Sequence, residues 1–576
     1  MIDVYTKRKA HEILRGELTS ERSSFISHWK DLADFILPRR ARFTITDSNR
    51  GDKRNQKIID GTATLAARTL QSGMMAGITS PARPWFRLTT PDPDLADFGS
   101  VKEWLHLVTQ RMTAVFLRSN LYNTLPIIYK DMGVFGTSAM LVEEDFENVL
   151  RTYSFPIGSY MIANNELLKV NVFMREFRMT VRQLILKFGS VDANKKPDWS
   201  AFSSTVKNLW DKKMYEEWID VCHVIEPNPD YDPNSLESKY KKFKSSYFEI
   251  GYNGQAINNQ DDGIYLRESG YSYFPVLCPR WEISGEDVYG TSCPGMDALG
   301  DVKQLQLEQK RKAQGIEKGI NPPMVGPTSL KTTKTSILPG DITYSDEREG
   351  VKGFRAAHEV RLDIDHLLND ITSVQNIIRR AFYEDLFLML ASSDRREITA
   401  REVEERHEEK MIGLGPVLEQ LNQDLLDPLI DIAFDFMDRQ EMIPPPPPEL
   451  QGQRLKVDYV SVMAQAQKLV GISGIERFAS FTANIANQTQ DLTAIDKVNI
   501  DELIDEHGNS VGVPPRCIRT AEQVAEIRAE RAKSQQAAQA AETLKTGAGA
   551  AKDLSKADLS ENNALSALLK GGQHAA

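Results

Sequence analysis

Cysteine is scarce. The four in 576 residues, Cys222, Cys278, Cys293 and Cys517, lie far apart and form no Cys-x-x-Cys pair, which argues against a zinc knuckle or a disulfide framework and leaves reduced thiols as the reading. Long apolar runs are missing too. The greasiest stretch, Pro428 to Met437, carries Asp431 and Asp435, so no membrane span is expected. The first ten residues, Met1 to Ala10, lack the apolar core of a signal peptide, and a cytosolic setting is expected. Positive charge is in deficit: 70 Lys and Arg stand against 81 Asp and Glu, a net charge of -11. That is the wrong sign for a chain that grips nucleic acid over its whole surface, so any contact with DNA is local or weak.

The usual signatures of catalysis are also absent. No G-x-x-x-x-G-K-[ST], H-E-x-x-H or G-x-G-x-x-G stretch occurs, so neither phosphates nor zinc have a recognisable cradle. Gly508-Asn509-Ser510-Val511-Gly512 has the letters of a nucleophile elbow, but a polar helical segment precedes it and Pro514-Pro515 follows, so Gly508 reads as a helix C-cap leading into a turn. His223 beside Cys222 reads as a core histidine. His407 among Glu402, Glu404, Glu405, Glu408 and Glu409 reads as a solvated helix face, and spacing supplies no second cluster to complete a metal or acid-base site. The expectation is a protein that is not an enzyme, with no cofactor and no metal.

What is present is a folded, segmented chain. Hydrophobic residues make up 41% and aromatics 8%, enough for packed cores, and the length suggests about four units. Residues 1 to about 135 read as mainly helical. Ile13, Leu14, Leu18, Phe25, Trp29, Leu32 and Phe35 recur at three- and four-residue spacing up to Pro38, and the pattern resumes over Ala63–Met75, Val101–Leu117 and Leu125–Val134. Trp85 to Leu88 reads as a short extended piece. Seven basic residues between Arg39 and Lys57 lie in a segment with no apolar period and read as a solvated loop. Strand texture follows at Ser138–Val142, Leu150–Ile157, Tyr160–Ala163 and Val170–Phe177. After a helical insert over Val181–Phe188 it returns at Trp218–Glu226, Tyr247–Ile250 and Phe274–Ile283. The first half is therefore α+β with an antiparallel sheet.

From Met296 the sequence turns helical, becomes too polar to be a lone chain's core, and stops at Asn321-Pro322-Pro323. Met324 to Phe354 is rich in Gly, Pro and Thr with short extended pieces, and a second helix is expected from His358 to about Phe382: a helical hairpin with a β-decorated tip. Thr399-Ala400-Arg401-Glu402 is a capping box that opens a long helix, kinked by Pro416 and Pro428, which ends at the proline run Pro444 to Pro448. Tyr459 to Val470 and Gly474 to Ile485 read as a small helical unit. Thr520 to Leu544 can be helical but buries little alone, and Thr546 to Ala576 reads as a disordered tail. Charge is uneven. Leu362 to Leu450 holds 8 basic and 20 acidic residues, against 11 and 8 in Asp301 to Arg361. Acidic helices around a duplex would forbid tight counterion release and leave it free to slide, as in a conduit.

Several segments resemble the head-to-tail connecting, or portal, proteins of short-tailed phages. They are Leu70 to Pro81 followed by Pro84 to Leu88; Gly133 to Leu141; Tyr289-Gly290-Thr291-Ser292-Cys293-Pro294 running through Ala298 to Leu305; and Thr399 to Val403. The resemblance extends over about residues 1 to 445. It implies a portal architecture: an α/β wing (1–290), a stem helix (291–321), a small β-containing clip (322–357), a second stem helix (358–382), a channel loop (383–398), a long kinked wing helix (399–443), a helical crown (444–515) and an Ala-rich C-terminal helix and tail (516–576). It implies a homo-dodecamer at one capsid vertex of the virion, assembled in the host cytoplasm, that passes double-stranded DNA transiently. The implied partners are the large terminase subunit, tail adaptor or head-completion proteins, and the major capsid and scaffolding proteins, with no membrane. Ser392, Ser393, Asp394, Arg395 and Arg396 would form the channel loop facing DNA; Thr328, Lys331, Lys334, Ile337, Asp341 and Tyr344 would dock partners at the clip. The rival readings are a metal-dependent nuclease of the packaging apparatus, whose acidic cluster spacing does not locate, and a tail or scaffold protein without a channel.

Overall fold

The structure is a computed structural model that describes the chain apart from residues 1–3, 48–50, 93–94, 96–97, 192–196, 258–264, 321–323, 326–354, 357–363, 393–413, 451, 453–454, 461–477, 483, 486–497, 512–518, 520 and 557–576. It opens with helix α1 (Val4–Phe35), then α2 (Thr62–Ile78), strand β1 (Phe86–Thr89), α3 (Gly99–Arg118) and α4 (Leu121–Phe135). These are the helices that the apolar spacing predicts, each longer by a few residues. Pro126 lies inside α4, in its second turn, where its missing N–H removes one helical hydrogen bond.

Two antiparallel sheets follow. The larger has β4 (Tyr160–Asn164), β5 (Val170–Thr180), β6 (Trp218–Pro227) and β7 (Phe243–Tyr252) side by side; β8 (Arg267–Tyr271) and the short piece Gln255–Ala256 both pair with β7. The smaller has β2 (Ala139–Asp145) between β3 (Val149–Phe155) and β9 (Val276–Leu277). Only Val276–Leu277 of the stretch Phe274–Ile283 pairs as strand; Pro275 and Pro279 bracket it and cannot donate to a ladder.

The alternation of side chains puts opposite faces of the large sheet against different partners. Met161, Met174, Cys222, Val224 and Phe248 pack on Leu18 of α1. Ile219, Val221 and Tyr247 pack on α5 (Val181–Phe188) and α6 (Ser204–Asp211). The start of α5 is fixed by a capping box in which Thr180 accepts from the Gln183 amide and Gln183 accepts from the Thr180 amide. His223 is a fully buried member of this sheet, as its sequence context suggests: it meets Ser245 Oγ at 2.9 Å and stacks on Tyr247. Burial, followed by the nearby charges of Arg175 and Lys187, holds its imidazole well below the usual range, hence neutral.

The second half of the chain returns to the helical core of the first. A short turn, Pro294–Asp297, leads into α7 (Leu299–Ile320), and α8 (Ile364–Ala381) runs back beside it. Met324–Val325 (β10) pairs antiparallel with Arg355–Ala356 (β11), joining the two arms as a hairpin with an extended outer end. Tyr383, at φ 55°, makes the corner into α9 (Glu384–Ser392). The segment expected as a loop therefore begins as helix.

Residues 414–421 are helical, Asn422–Leu426 widens into a π-turn, and α10 (Asp427–Arg439) continues. The widening is the kink that Pro428 demands, since its ring would strike the carbonyl four residues back. Lys456–Tyr459 (β12) is a strand that pairs with β1, with Arg87 bonded to Asp458 at 2.8 Å; the helical unit expected over Tyr459 to Val470 therefore does not start at Tyr459, and residues 461–470 lie outside the described residues. Two further helices are α11 (Ile500–Val511) and α12 (Ala521–Lys556). The helix α11 runs through Gly508, which is thus no C-cap, and Ser510 sits on a helix rather than at an elbow. α12 passes ten residues beyond Thr546, carried by Ala548, Ala550 and Ala551 despite Gly547 and Gly549. Its described side chains are nearly all exposed, Leu544 included.

Candidate functional site

Three of the sequence segments singled out above meet in one place, and glycine makes the meeting possible. Gly136, at φ 79°, ends α4 where a side chain would strike the backbone of Gly290; a side chain on Gly290 would strike Gly136 in return. The Trp281 amide donates to the Gly136 carbonyl at 2.8 Å, and the Gly290 amide donates to Thr137 Oγ1 at 2.7 Å. Gly295 lies against Val134 in the same way, with Cys293 Sγ donating to the Val134 carbonyl. Burial pushes the Cys293 thiol up to about 12, so it is an inert packing group. This junction aims the chain from the wing sheet into α7.

The root of the hairpin is held by one carboxylate. Asp60, in the turn before α2, accepts from the Thr62 amide at 2.8 Å and its hydroxyl at 2.5 Å, from Gln309 Nε2 of α7 at 2.9 Å and from Gln375 Nε2 of α8 at 2.9 Å. Gln306, one turn earlier in α7, accepts from the Ile59 and Asp60 amides at 2.6 and 2.8 Å and donates to the Asp60 carbonyl at 3.0 Å. Burial opposes the charge of Asp60, but the bonds from Thr62, Gln375 and Gln309 outweigh it and hold the carboxyl below its usual range. Both helices are therefore set at one height against α2.

On α7 the change from apolar to polar falls at this node; on α8 it falls further out, beyond Ile371. Leu299, Val302 and Leu305 of α7 and Ile371, Val374, Ile378 and Phe382 of α8 are buried in the main core. Outward of Gln309, α7 exposes Ile316 and Ile320 among Lys310, Arg311, Lys312 and Lys318. At 1.5 Å per residue this outer part of α7 is about 16 Å long. The helix α9 folds back on α2, where the Phe387 ring fills the space above Gly73. A second tie comes from the π-turn, which presents Asp424 to the buried Arg280 at 3.1 Å; Arg280 also donates to Asn164 Oδ1 and the Leu168 carbonyl.

Of the site residues expected from the sequence, Ser392 is the last residue of α9. Ser393, Asp394, Arg395 and Arg396 lie outside the described residues, as do Thr328, Lys331, Lys334, Ile337, Asp341 and Tyr344 and the capping box at Thr399. The basic segment from Arg39 is largely tied into the fold: Arg40 pairs with the buried Asp131, Arg54 with Asp47, and Lys57 with Asp34. Asp60, Gln306, Gln309 and Gln375 were not foreseen. The available signal was Gln306 and Gln309, which continue the apolar stripe of Val302 and Leu305 where solvated residues would not. Among the described residues no group of three or more His, Cys, Asp or Glu is placed to hold a metal ion, and no helix is long and apolar enough to cross a membrane.

Residues 8–518 match the family described as bacteriophage head to tail connecting protein. The chain is 48% identical over 553 residues to the portal protein of Salmonella phage epsilon15, covering 96% of each chain. It is 44% identical over 560 residues to a probable portal protein of Bordetella phage BPP-1, covering 97% of each.

Proposed function

The chain belongs to the family of bacteriophage head to tail connecting proteins, a structural component of the phage head-tail junction, and from that membership we propose that twelve copies close into a ring at one capsid vertex. Double-stranded DNA enters the head through the central channel under the drive of a separate terminase, and leaves by the same route after tail adaptors have docked. The observation that carries this reading is the hairpin of α7 and α8: its root is locked into the wing core, while α7 exposes Leu307 beside the root and Ile316 and Ile320 on its polar outer part. A ring of hairpins gives these residues neighbours to pack against.

In this reading residues 1–290 are the wing that meets capsid and scaffolding proteins, and α7 and α8 form the stem. Residues 322–357 are the clip, with Thr328, Lys331, Lys334, Ile337, Asp341 and Tyr344 facing the terminase large subunit and then the adaptors. Residues 383–398 form the channel loop, 399–443 the long wing helix, 444–515 the crown, and 516–576 the C-terminal helix and tail. Ser392, Ser393, Asp394, Arg395 and Arg396 stand near the passing duplex. The two arginines touch phosphate briefly, and the acid of residues 362–450, twelve charges in excess, keeps the contact weak enough for sliding. Replacing Arg395 and Arg396 together by alanine should impair packaging or retention of DNA and leave rings intact by negative stain. Loss of the rings would assign the pair to assembly instead.

A further inference from the structure

Two arginines flank one turn of the first half of the chain with no acid to answer them, and we propose that they hold a free oxyanion, of the phosphate class, at Gly158. The proposal stands apart from the ring reading. Arg22 of α1 is 8% exposed. Its Nη1 donates to the Gly158 carbonyl at 2.7 Å, and its Nε has no acceptor. Arg42 reaches the same turn from the basic segment that follows α1. Its amide donates to the Ile157 carbonyl at 2.9 Å, and its own carbonyl and the Phe43 ring lie where a side chain on Gly158 would stand. The Nε of Arg42 is likewise buried without an acceptor.

A guanidinium keeps its proton, so it cannot shed its charge as a buried lysine or histidine does. Buried charges are therefore paired, and one left alone is costly. Among the described residues neither Arg22 nor Arg42 pairs with a carboxylate. The residues three and four away from Arg22 on its helix, Leu18, Thr19, Phe25 and Ile26, bring none. Asp131, the buried acid that the basic segment reaches, is taken by Arg40, and Arg54 and Lys57 have acids of their own. Lys30, about two turns along α1 from Arg22, stands 5.7 Å from the centroid of the Phe43 ring, so a third cation borders the turn. A water could accept from either Nε but would leave the charge unanswered. So deep a group as Arg22 is out of reach of a duplex backbone or a partner's surface, which leaves a small ion; guanidinium forks match the oxygens of phosphate.

The test titrates the full-length chain with inorganic phosphate by calorimetry, in an oxyanion-free buffer at fixed ionic strength, and follows its melting in parallel. One saturable site per chain is expected, and the melting temperature should climb with phosphate, since a ligand held only by the folded state raises its stability. Arg22→Met and Arg42→Met should each weaken binding by about tenfold or more. The gap in melting temperature between either variant and the unmodified chain should widen as phosphate is added. Arg42 is only half-buried, so its variant decides the matter if Arg22→Met does not fold. Lys53→Met removes an exposed charge from the same basic segment and should change neither readout. Absence of saturable binding, a melting gap that phosphate does not alter, or a loss with Lys53→Met equal to that of the arginine variants would overturn the site.

Discussion

Replacing Asp60 by alanine should loosen both stem helices at once. Four donors converge on this carboxylate, two from Thr62 and one each from Gln309 and Gln375. A hydrogen bond to a buried charged group is worth about 1.5–3 kcal/mol. Asp60 is only partly buried, and donors left behind can turn to water, so the expected loss is discounted to about 2–3 kcal/mol in total. Asp60→Asn keeps one acceptor oxygen and should cost about 1 kcal/mol. The assay is amide hydrogen exchange with a denaturant titration: exchange should quicken in Leu299–Ile320 and Ile364–Ala381 together, while Trp218–Tyr252 stays protected. The carboxyl is depressed in the fold, so its contribution is complete above the unfolded Asp value near 3.9 and fades as pH falls through the lower folded value. The difference between wild type and Asp60→Ala should therefore be the same at pH 5 and pH 7. A loss under about 0.5 kcal/mol, or exchange that quickens in one helix alone, would refute the idea that one carboxylate couples the two.

The remaining predictions concern packing, a buried ion pair and acid. Gly73→Ala drives a methyl into the Phe387 ring and should cost about 1–3 kcal/mol by thermal unfolding; Phe387→Leu in the same chain should recover part of it, and an unaffected melting curve would mean that α9 docks elsewhere. Arg280→Met leaves Asp424 buried without its partner and should cost about 3–5 kcal/mol, much of it recovered by adding Asp424→Leu; additive losses in the double-mutant cycle would dismiss the coupling. His223 is neutral in the fold and ordinary when unfolded, so the unfolded chain binds the extra proton. Stability should fall as pH drops below about 6.5, by at most about 1.4 kcal/mol per pH unit. His223→Gln, measured beside wild type from pH 7.5 to 5, should show a shallower decline, and parallel curves would assign the acid sensitivity to other groups.

Local structure was legible where a single periodicity governed. A helical insert was expected around Val181 to Phe188 and a helix stands there, its start fixed by the Thr180 capping box and its end at Gly189, and β4, β5 and β6 followed from alternating apolar residues. The hairpin was legible from its polarity and its bracketing prolines. Contacts that depend on residues hundreds of positions apart were not. Nothing in Lys456-Val457-Asp458-Tyr459 announces that it will pair with Phe86–Thr89, and although Gln306 and Gln309 continue an apolar stripe, nothing near them or Gln375 names the distant turn at Asp60 as their partner. Glycine was ambiguous in both directions: Gly136 and Gly290 are required by close backbone approach, whereas Gly508 simply continues a helix.

The claim most exposed to test is that copies of this chain close on themselves around a hole. Native mass spectrometry of the purified full-length protein, with negative-stain images of the same sample, measures it directly. The account predicts a hollow ring near 780 kDa, about twelve times the 64.9 kDa chain. A sample that stays monomeric across concentration and salt, or that assembles into solid or open-ended particles, would contradict it.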